Sequence, residues 1–432
     1  MRKLAIISLM CLMALAAKAQ CAQKSGAWTG KLKVFGTELR LVFHLDDDAC
    51  TMDSPDQSVT GVPAVLERSD TSVKVAVPSI NASFEGECRD TLIVGTFRQN
   101  GQSFPLTLTP GETRLSRPQT PTAPFPYQTE EVSFNNGGAV LKGTLTTPPG
   151  CTRNTPVLLM VTGSGLQNRD EEIFEHKPFA VIADALARQG IATLRYDDRG
   201  FGESTGDLVS VTTEDLKNDA LAGIELLRRR FDRVGILGHS EGGTIGLMLA
   251  AEGKVDFVVS LAAMVVSGEK TLMEQNEWAL RQAGFSQEVV DQYCQALESL
   301  FDTVKVGKVP EVPKSGLPAA LLQNLEVVKA QSCTPYMRYF LNLDISGRLN
   351  KITCPVLALN GTKDRQVDCE ENLGLLRNGL RGKKEVHAIE GVNHLFQHCK
   401  SGDPSEYKDI EETFAPEAIA LISQWIKVGA KK

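Results

Sequence analysis

The sequence predicts an α/β fold, a mostly parallel sheet flanked by helices and carrying a helical cap, preceded by a small all-β domain. Three observations predict it. From about residue 129 onward, short apolar runs alternate with helical patterns, as strands joined by crossover helices do. Residues 24–112 alternate apolar and polar positions over short runs, the pattern of half-buried antiparallel strands. And 432 residues exceed what one hydrophobic core ordinarily organises, so two domains are expected.

The chain opens differently from the rest. Arg2 and Lys3 precede an apolar stretch over 4–17, followed by Ala17-Lys18-Ala19. Positive residues, a short apolar core and a small-x-small site spell a secretory signal peptide spanning 1–19, with cleavage after Ala19. The product is expected in the periplasm or outside the cell. The apolar run is short for a bilayer span, so no stable membrane insertion is expected. Gln20 stands where a lipidation site requires a small residue before Cys21, so no lipid anchor is expected either. Loss of 1–19 removes Arg2, Lys3 and Lys18 and no acid, so the net charge moves from −7 by −3 to −10. A surface that acidic disfavours nucleic acid.

Nine cysteines, all but the tenth at Cys11, remain after that cleavage. Export to an oxidising compartment permits pairing, and Cys50 with Cys88 and Cys369 with Cys399 are expected because each pair lies within one domain. No Cys/His spacing fits zinc, so neither a metal nor another cofactor is expected.

Short runs such as Glu38-Leu39-Arg40-Leu41-Val42-Phe43, separated by Gly, Asp, Asn and Pro, make 24–112 a small antiparallel barrel or sandwich. Residues 113–128 carry Pro118, Pro121, Pro124 and Pro126, and read as an extended linker at the domain boundary. The second domain covers 129–432. Its strands are expected at 156–161, 191–196, 233–237, 257–262, 356–360 and 385–389. Helices are expected around 179–186, over 213–229, after residue 242 and near 416–426. The stretch 266–346 interrupts the alternation with helical patches at 272–283, 287–301 and 319–330, and reads as a cap inserted between two strands.

The chemistry centres on Gly238-His239-Ser240-Glu241-Gly242, placed directly between an apolar strand and a helix. A nucleophile on so sharp a turn requires small residues two before and two after it. Ser240 is therefore the candidate nucleophile. A serine hydroxyl needs a histidine to take its proton and an acid to orient that histidine, in the chain order Ser, acid, His. Asp364 and His394 each follow a strand and satisfy the order, with Asp368 and His398 as the competing positions. The remaining histidines, His44, His176, His239 and His387, lie in the β domain, at a helix start, inside the turn and on a strand. Two backbone donors are needed for the developing oxyanion. One is the N–H of Glu241. The other lies in Thr162-Gly163-Ser164-Gly165 and is assigned to Ser164, with Gly165 as the alternative. Arg169, Asp170, Asp198 and Arg199 read as ion pairs that brace these loops, with substrate binding as the other possible role.

The blocks Gly163-Ser164-Gly165…Arg169-Asp170-Glu171, Tyr196-Asp197-Asp198-Arg199-Gly200…Gly202-Glu203-Ser204, Gly238–Gly243, Gly361…Asp364 and Asn393-His394 resemble the bacterial α/β-hydrolase carboxylesterases, near the serine aminopeptidase-like branch. The resemblance covers roughly 130–430. The sequence departs from the common His-Gly oxyanion pattern by placing Thr162 before Gly163. The resemblance implies a serine hydrolase acting on a small-molecule ester through an acyl-enzyme. A peptidase or thioesterase with the same triad is the alternative, and a catalytically silent binding protein a third. N-terminal sequencing of the exported protein should begin at Gln20, and Met1 at that terminus would refute cleavage.

Overall fold

The structure is a computed structural model that describes residues 25–428 apart from 35, 36, 58 and 113. The expected signal peptide and Cys21 lie outside the described residues. The chain divides into two compact units. One runs to Ser116 and takes in Ile173–Glu175, and the other comprises Arg117–Glu172 and His176 onward.

The first unit is an antiparallel nine-stranded sheet: β1 (Ala27–Val34), β2 (Thr37–His44), β3 (Thr51–Ser54), β4 (Val59–Pro63), β5 (Val65–Arg68), β6 (Ser72–Val77), β7 (Ala82–Arg89), β8 (Leu92–Gln99) and β9 (Gln102–Pro110). The strand order is β4-β3-β2-β1-β9-β8-β7-β6-β5. Only Ala64 separates β4 from β5, so the two edge strands are consecutive in the chain and the sheet must curl to bring its ends together. Alternation then sends Trp28, Phe43, Val75, Phe84, Ile93 and Phe97 into one shared interior. The pairing Cys50–Cys88 is not formed. Cys50 precedes β3 and Cys88 lies on β7, with β2, β1, β9 and β8 between those strands, and the Cys50 thiol is free.

The second unit is an eight-stranded sheet: β10 (Gln128–Asn136), β11 (Ala139–Thr147), β12 (Val157–Val161), β13 (Ala192–Tyr196), β14 (Val234–His239), β15 (Val258–Leu261), β16 (Val356–Gly361) and β17 (Lys384–Ile389). Their order is β10-β11-β13-β12-β14-β15-β16-β17. All neighbours from β13 to β17 are parallel, while β10 and β11 are antiparallel additions at one edge. The chain moves outward in one direction from β12 to β13, then returns to lay β14 on the other side of β12. In open α/β sheets the crevice at the carboxyl ends around such a reversal is where ligands bind. The loops after β12 and β14 flank it.

The helices are α1 (Pro178–Arg188), α2 (Thr213–Arg228), α3 (Glu241–Ala251), α4 (Gly268–Gln282), α5 (Gln287–Lys305), α6 (Ala319–Ser332), α7 (Pro335–Asn342), α8 (Cys369–Gly379) and α9 (Pro416–Val428). Both faces of the sheet are covered, which explains why its central strands are apolar throughout. Leu158 and Met160 of β12 pack with α1 and α9, while Leu159 and Val161 point to the opposite face with residues of α2 and α3. α2 begins on a capping box in which Thr212 and Asp215 exchange side-chain and backbone hydrogen bonds. α1 gives way to Gly190, whose φ of 82° suits glycine.

The cap between β15 and β16 holds four helices, α4 to α7, where the sequence patterns suggested three. The additional one, α7, is only 8 residues long, starts on Thr334 with Pro335 at its first position, and is too short to register as a periodic run. The proline-rich stretch also differs from an extended linker. Division falls after Ser116, and the following residues are bonded along the second unit. Arg117 donates to the carbonyls of Lys408 and Ile410, Gln119 bonds Thr413 and Phe414, and Tyr127 donates to Asp184. A backbone that cannot join the sheet ladder is held here by its side chains. The expected Cys369–Cys399 disulfide is absent too, since Cys369 is buried at the start of α8 while the Cys399 thiol bonds the Gly391 carbonyl at 3.5 Å.

Candidate active site

Ser240 stands between the end of β14 and the first residue of α3, with φ 53° and ψ −119°. For a residue with a side chain this is a strained conformation, costing about 1–3 kcal/mol. The surroundings enforce it. The Ser240 amide donates to the Leu261 carbonyl at 2.8 Å, and the residues before and after Ser240 are buried. A Cβ on Gly238 would sit 2.0 Å from the Gly242 carbonyl oxygen, and one on Gly242 would sit 2.1 Å from that of Val161. Both glycines are therefore required by close backbone approach. The Glu241 amide opens α3, where unpaired N–H groups and the helix dipole favour negative charge.

Asp364 lies just beyond β16, and its carboxylate is anchored on two sides. Oδ1 accepts the backbone N–H groups of Gln366 and Val367 at 2.8 and 2.9 Å, and Oδ2 lies 2.7 Å from His394 Nδ1. Asp364 and His394 side chains are 0% and 5% exposed. A carboxylate facing Nδ1 fixes the proton there and leaves Nε2 with its lone pair. The His394 loop is stiffened by Asn393, whose Oδ1 accepts the amides of Leu395 and Gln397 at 3.0 Å each.

The competing positions do other things. Asp368 caps α8 through the Glu371 amide at 2.8 Å. His398 is half exposed and engaged by Glu412 and Glu417 at 2.8 and 3.0 Å. His176 is buried between Thr413 and the Tyr407 carbonyl, and burial pulls its pKa down to about 4. His44 faces Asp53.

The loop after β12 lies against Ser240, for a Cβ on Gly163 would stand 3.2 Å from Ser240 Cβ. Ser164 and Gly165 follow on its exposed side, and Gly165 adopts φ 95°. The Gly163 amide itself is spent on Glu171, whose Oε1 accepts it at 2.7 Å. The same Oε1 lies 2.9 Å from His239 Nδ1, and His239 Nε2 lies 2.9 Å from the His394 carbonyl. Neither Glu171 nor His239 was singled out from sequence, although both sit inside the motif blocks. His239 faces a carbonyl through one nitrogen and a carboxylate through the other, two acceptors that favour the doubly protonated ring. Burial opposes that charge, but the Glu171 carboxylate outweighs it and the His239 pKa is raised. This buried pair links the loop carrying Ser164, the nucleophile turn and the His394 loop.

Arg169, Asp170 and Arg199 form ion pairs, as the bracing reading expects. Arg169 grips Asp197, Glu131 and Glu203; Arg195 pairs with Asp170; Arg199 reaches Asp219 with two bonds of 2.6 Å. Asp198 differs, because among the described residues no cation pairs with it. It accepts from the Thr162 hydroxyl at 3.0 Å and the Gln167 amide at 2.8 Å. Burial, reinforced by the charges of Glu171 and Glu241 against these bonds, pushes its pKa up to about 8. Among the described residues no group of acids, cysteines and histidines stands together as a metal site.

Residues 175–398 match the family model described as serine aminopeptidase, S33 (Hydrolase_4), a span that includes the nucleophile turn, the cap, Asp364 and His394. The chain belongs to that family. A curated relative, esterase EstD of Thermotoga maritima, is 28% identical over 284 residues, covering 63% of this chain and 61% of the relative. The chain thus spans about three fifths of that relative's length. Among solved structures, Est1E of Butyrivibrio proteoclasticus with ferulic acid bound is 16% identical with a TM-score of 0.43, over 68% of this chain and 98% of that one. Proline iminopeptidase of Mycobacterium smegmatis is 16% identical with a TM-score of 0.45, over 69% and 98%. Membership of this α/β-hydrolase family agrees with the resemblance read from the motif blocks.

In this member of the S33 family the Asp198 proton has a measurable consequence. Its pKa in the folded chain is pushed up to about 8, whereas an unfolded aspartate releases its proton near the ordinary value of 3.8. Between those limits the folded state binds more protons, so Asp198 subtracts stability as pH rises, by at most ~1.4 kcal/mol per unit. Asp198→Asn should therefore gain stability relative to the wild type between pH 5 and pH 8 in urea unfolding. A difference that stays flat or moves the other way would show that Asp198 is ionised throughout.

Proposed function

We propose that this protein is an exported serine hydrolase that cleaves carboxylic esters through an acyl-enzyme. The observation that carries the reading is the buried 2.7 Å bond between His394 Nδ1 and Asp364, set in the loops beyond β16 and β17 at the sheet edge where Ser240 is presented.

In the first half-reaction Ser240 Oγ attacks the ester carbonyl carbon while its proton passes to His394 Nε2. The carbonyl π electrons move to oxygen, and the oxyanion is held by the amides of Glu241 and Ser164. Each such donor is worth roughly 10²–10³ in rate. His394 then protonates the departing alkoxide as the C–O bond breaks, leaving the acyl group on Ser240. In the second half a water gives its proton to His394 and its oxygen to the acyl carbon, and Ser240 leaves with the proton returned. Asp364 stays ionised, holding the ring in one tautomer and stabilising the imidazolium formed in each half.

The ester preference is supported by the EstD likeness and by the saturation of nearby acids. An aminopeptidase requires a carboxylate for the substrate's ammonium group. Glu171 is engaged by His239 and Gly163, Asp198 by Thr162 and Gln167, and Glu241 by Thr213 and Tyr336. The second reading, peptide-bond hydrolysis by the same residues, is favoured by the family's own description.

Initial rates on p-nitrophenyl acetate, butyrate, octanoate and palmitate test the proposal. Turnover of the shorter esters is expected, with a loss of at least about a thousandfold in Ser240→Ala. Hydrolysis of aminoacyl amides without ester turnover would favour the peptidase, and turnover that survives the substitution would overturn the mechanism.

A further inference from the structure

We propose that Tyr336, supplied by the cap helix α7, is a positioning residue that sets the oxyanion donors in register and so makes catalysis depend on cap placement. The inference rests on the serine-hydrolase reading above and extends it to the cap.

The Tyr336 hydroxyl donates to Glu241 Oε2 at 2.5 Å. Glu241 is the residue whose amide is assigned to the oxyanion. Its other oxygen, Oε1, accepts from the Thr213 hydroxyl at 2.6 Å, at the start of α2. The buried carboxylate is thus met by two O–H dipoles with their positive ends toward it. Without the phenol, one oxygen of a buried anion would lose its donor beside the place where the substrate oxygen becomes negative, and like charges so placed oppose each other. The Ser164 side chain is also close enough to the phenolic oxygen to draw the Tyr336 pKa down, against burial and the Glu241 charge, which hold it above the ordinary value. One cap side chain therefore bonds one assigned donor residue, Glu241, and feels the other, Ser164, nearby. It is the more significant for Ser164, which is exposed on its loop.

α7 is itself firmly seated. The Tyr336 ring stacks on Phe340 with centroids 5.9 Å apart. Tyr339, on the same helix, donates to Glu214 of α2 at 2.9 Å. A Cβ on Gly268, the first residue of α4, would stand 2.1 Å from the Phe340 carbonyl, so α7 and α4 touch backbone to backbone. The cap therefore delivers the phenol from a braced helix rather than from a loop. Tyr339 offers an internal comparison, being a second tyrosine–carboxylate bond from α7 to the hydrolase core that reaches neither assigned donor.

The test uses the full exported chain, with p-nitrophenyl butyrate as substrate and an alkyl trifluoromethyl ketone as inhibitor. Ser240 Oγ adds to the ketone carbon, its proton goes to His394, and the carbonyl oxygen becomes the oxyanion of a stable hemiketal. For Tyr336→Phe, kcat should fall about tenfold to a hundredfold with KM within about twofold, and the ketone Ki should rise by the same factor as kcat/KM falls. Tyr339→Phe, which removes one brace of α7 but no bond to an assigned donor residue, should lower kcat and raise Ki by a clearly smaller factor than Tyr336→Phe. A Tyr336→Phe enzyme with unchanged kcat and Ki overturns the inference. So does one whose lower kcat reflects only fewer titratable sites, with KM and Ki unchanged, since that is loss of folded protein. If the wild type neither hydrolyses the ester nor binds the ketone, the serine-hydrolase reading falls and this inference with it. A wild type that does both, matched by Tyr336→Phe, overturns the inference alone.

Discussion

Ser240 holds a backbone conformation that an isolated serine avoids, and much of the second unit can be read as the means of holding it there. The strand before it is buried on both faces, and the helix after it is packed along nearly its whole length, including Ile245, Leu247, Met248 and Leu249. Each such side chain contributes roughly 1.5–3 kcal/mol on burial, so a strain of about 1–3 kcal/mol is readily offset. The approach of Gly242 to the Val161 carbonyl ties the turn to β12, and the Ser240 amide ties it to the end of β15. The candidate nucleophile is thereby fixed at the reversal of strand order, beside the loop carrying Ser164.

Such an arrangement concentrates acids in a buried space, and each meets different partners. Asp364 is matched by His394 and two amides, Glu171 by the His239 ring, and Glu241 by two hydroxyls. Asp198 is the one of these whose pKa is pushed up, by burial. Charge is thus favoured beside His394 and where Glu171 joins two loops, and is opposed beneath Thr162.

What could be read from the sequence follows the range of the forces involved. The nucleophile turn is legible because its demands are local: a strand, a helix, and glycines two residues either side of Ser240. The bond between Asp364 and His394 is foreseeable from chain order and from their places just past strands. Tyr336 is not, because its bond to Glu241 crosses 95 residues, and the Glu171–His239 pair crosses 68. The same reason hid the docking of the proline-rich stretch, since Arg117 finds its acceptor 293 residues away. The Cys50–Cys88 pairing failed because it assumed that cysteines of one domain are neighbours, whereas strand order separates them. The helix α7 was invisible to periodicity, yet it carries the cap residue that reaches the nucleophile turn.

The most direct test is where a fluorophosphonate attaches. Reaction at a serine requires that its hydroxyl be deprotonated in place and that the developing charge on the phosphoryl oxygen be stabilised, so the label reports the assembled site without assuming any substrate. Peptide mapping of the labelled chain should find one adduct, on Ser240, and no adduct when His394 is replaced by Ala. Labelling at another residue, or labelling of Ser240 at an undiminished rate without His394, would contradict the assignment of nucleophile and base.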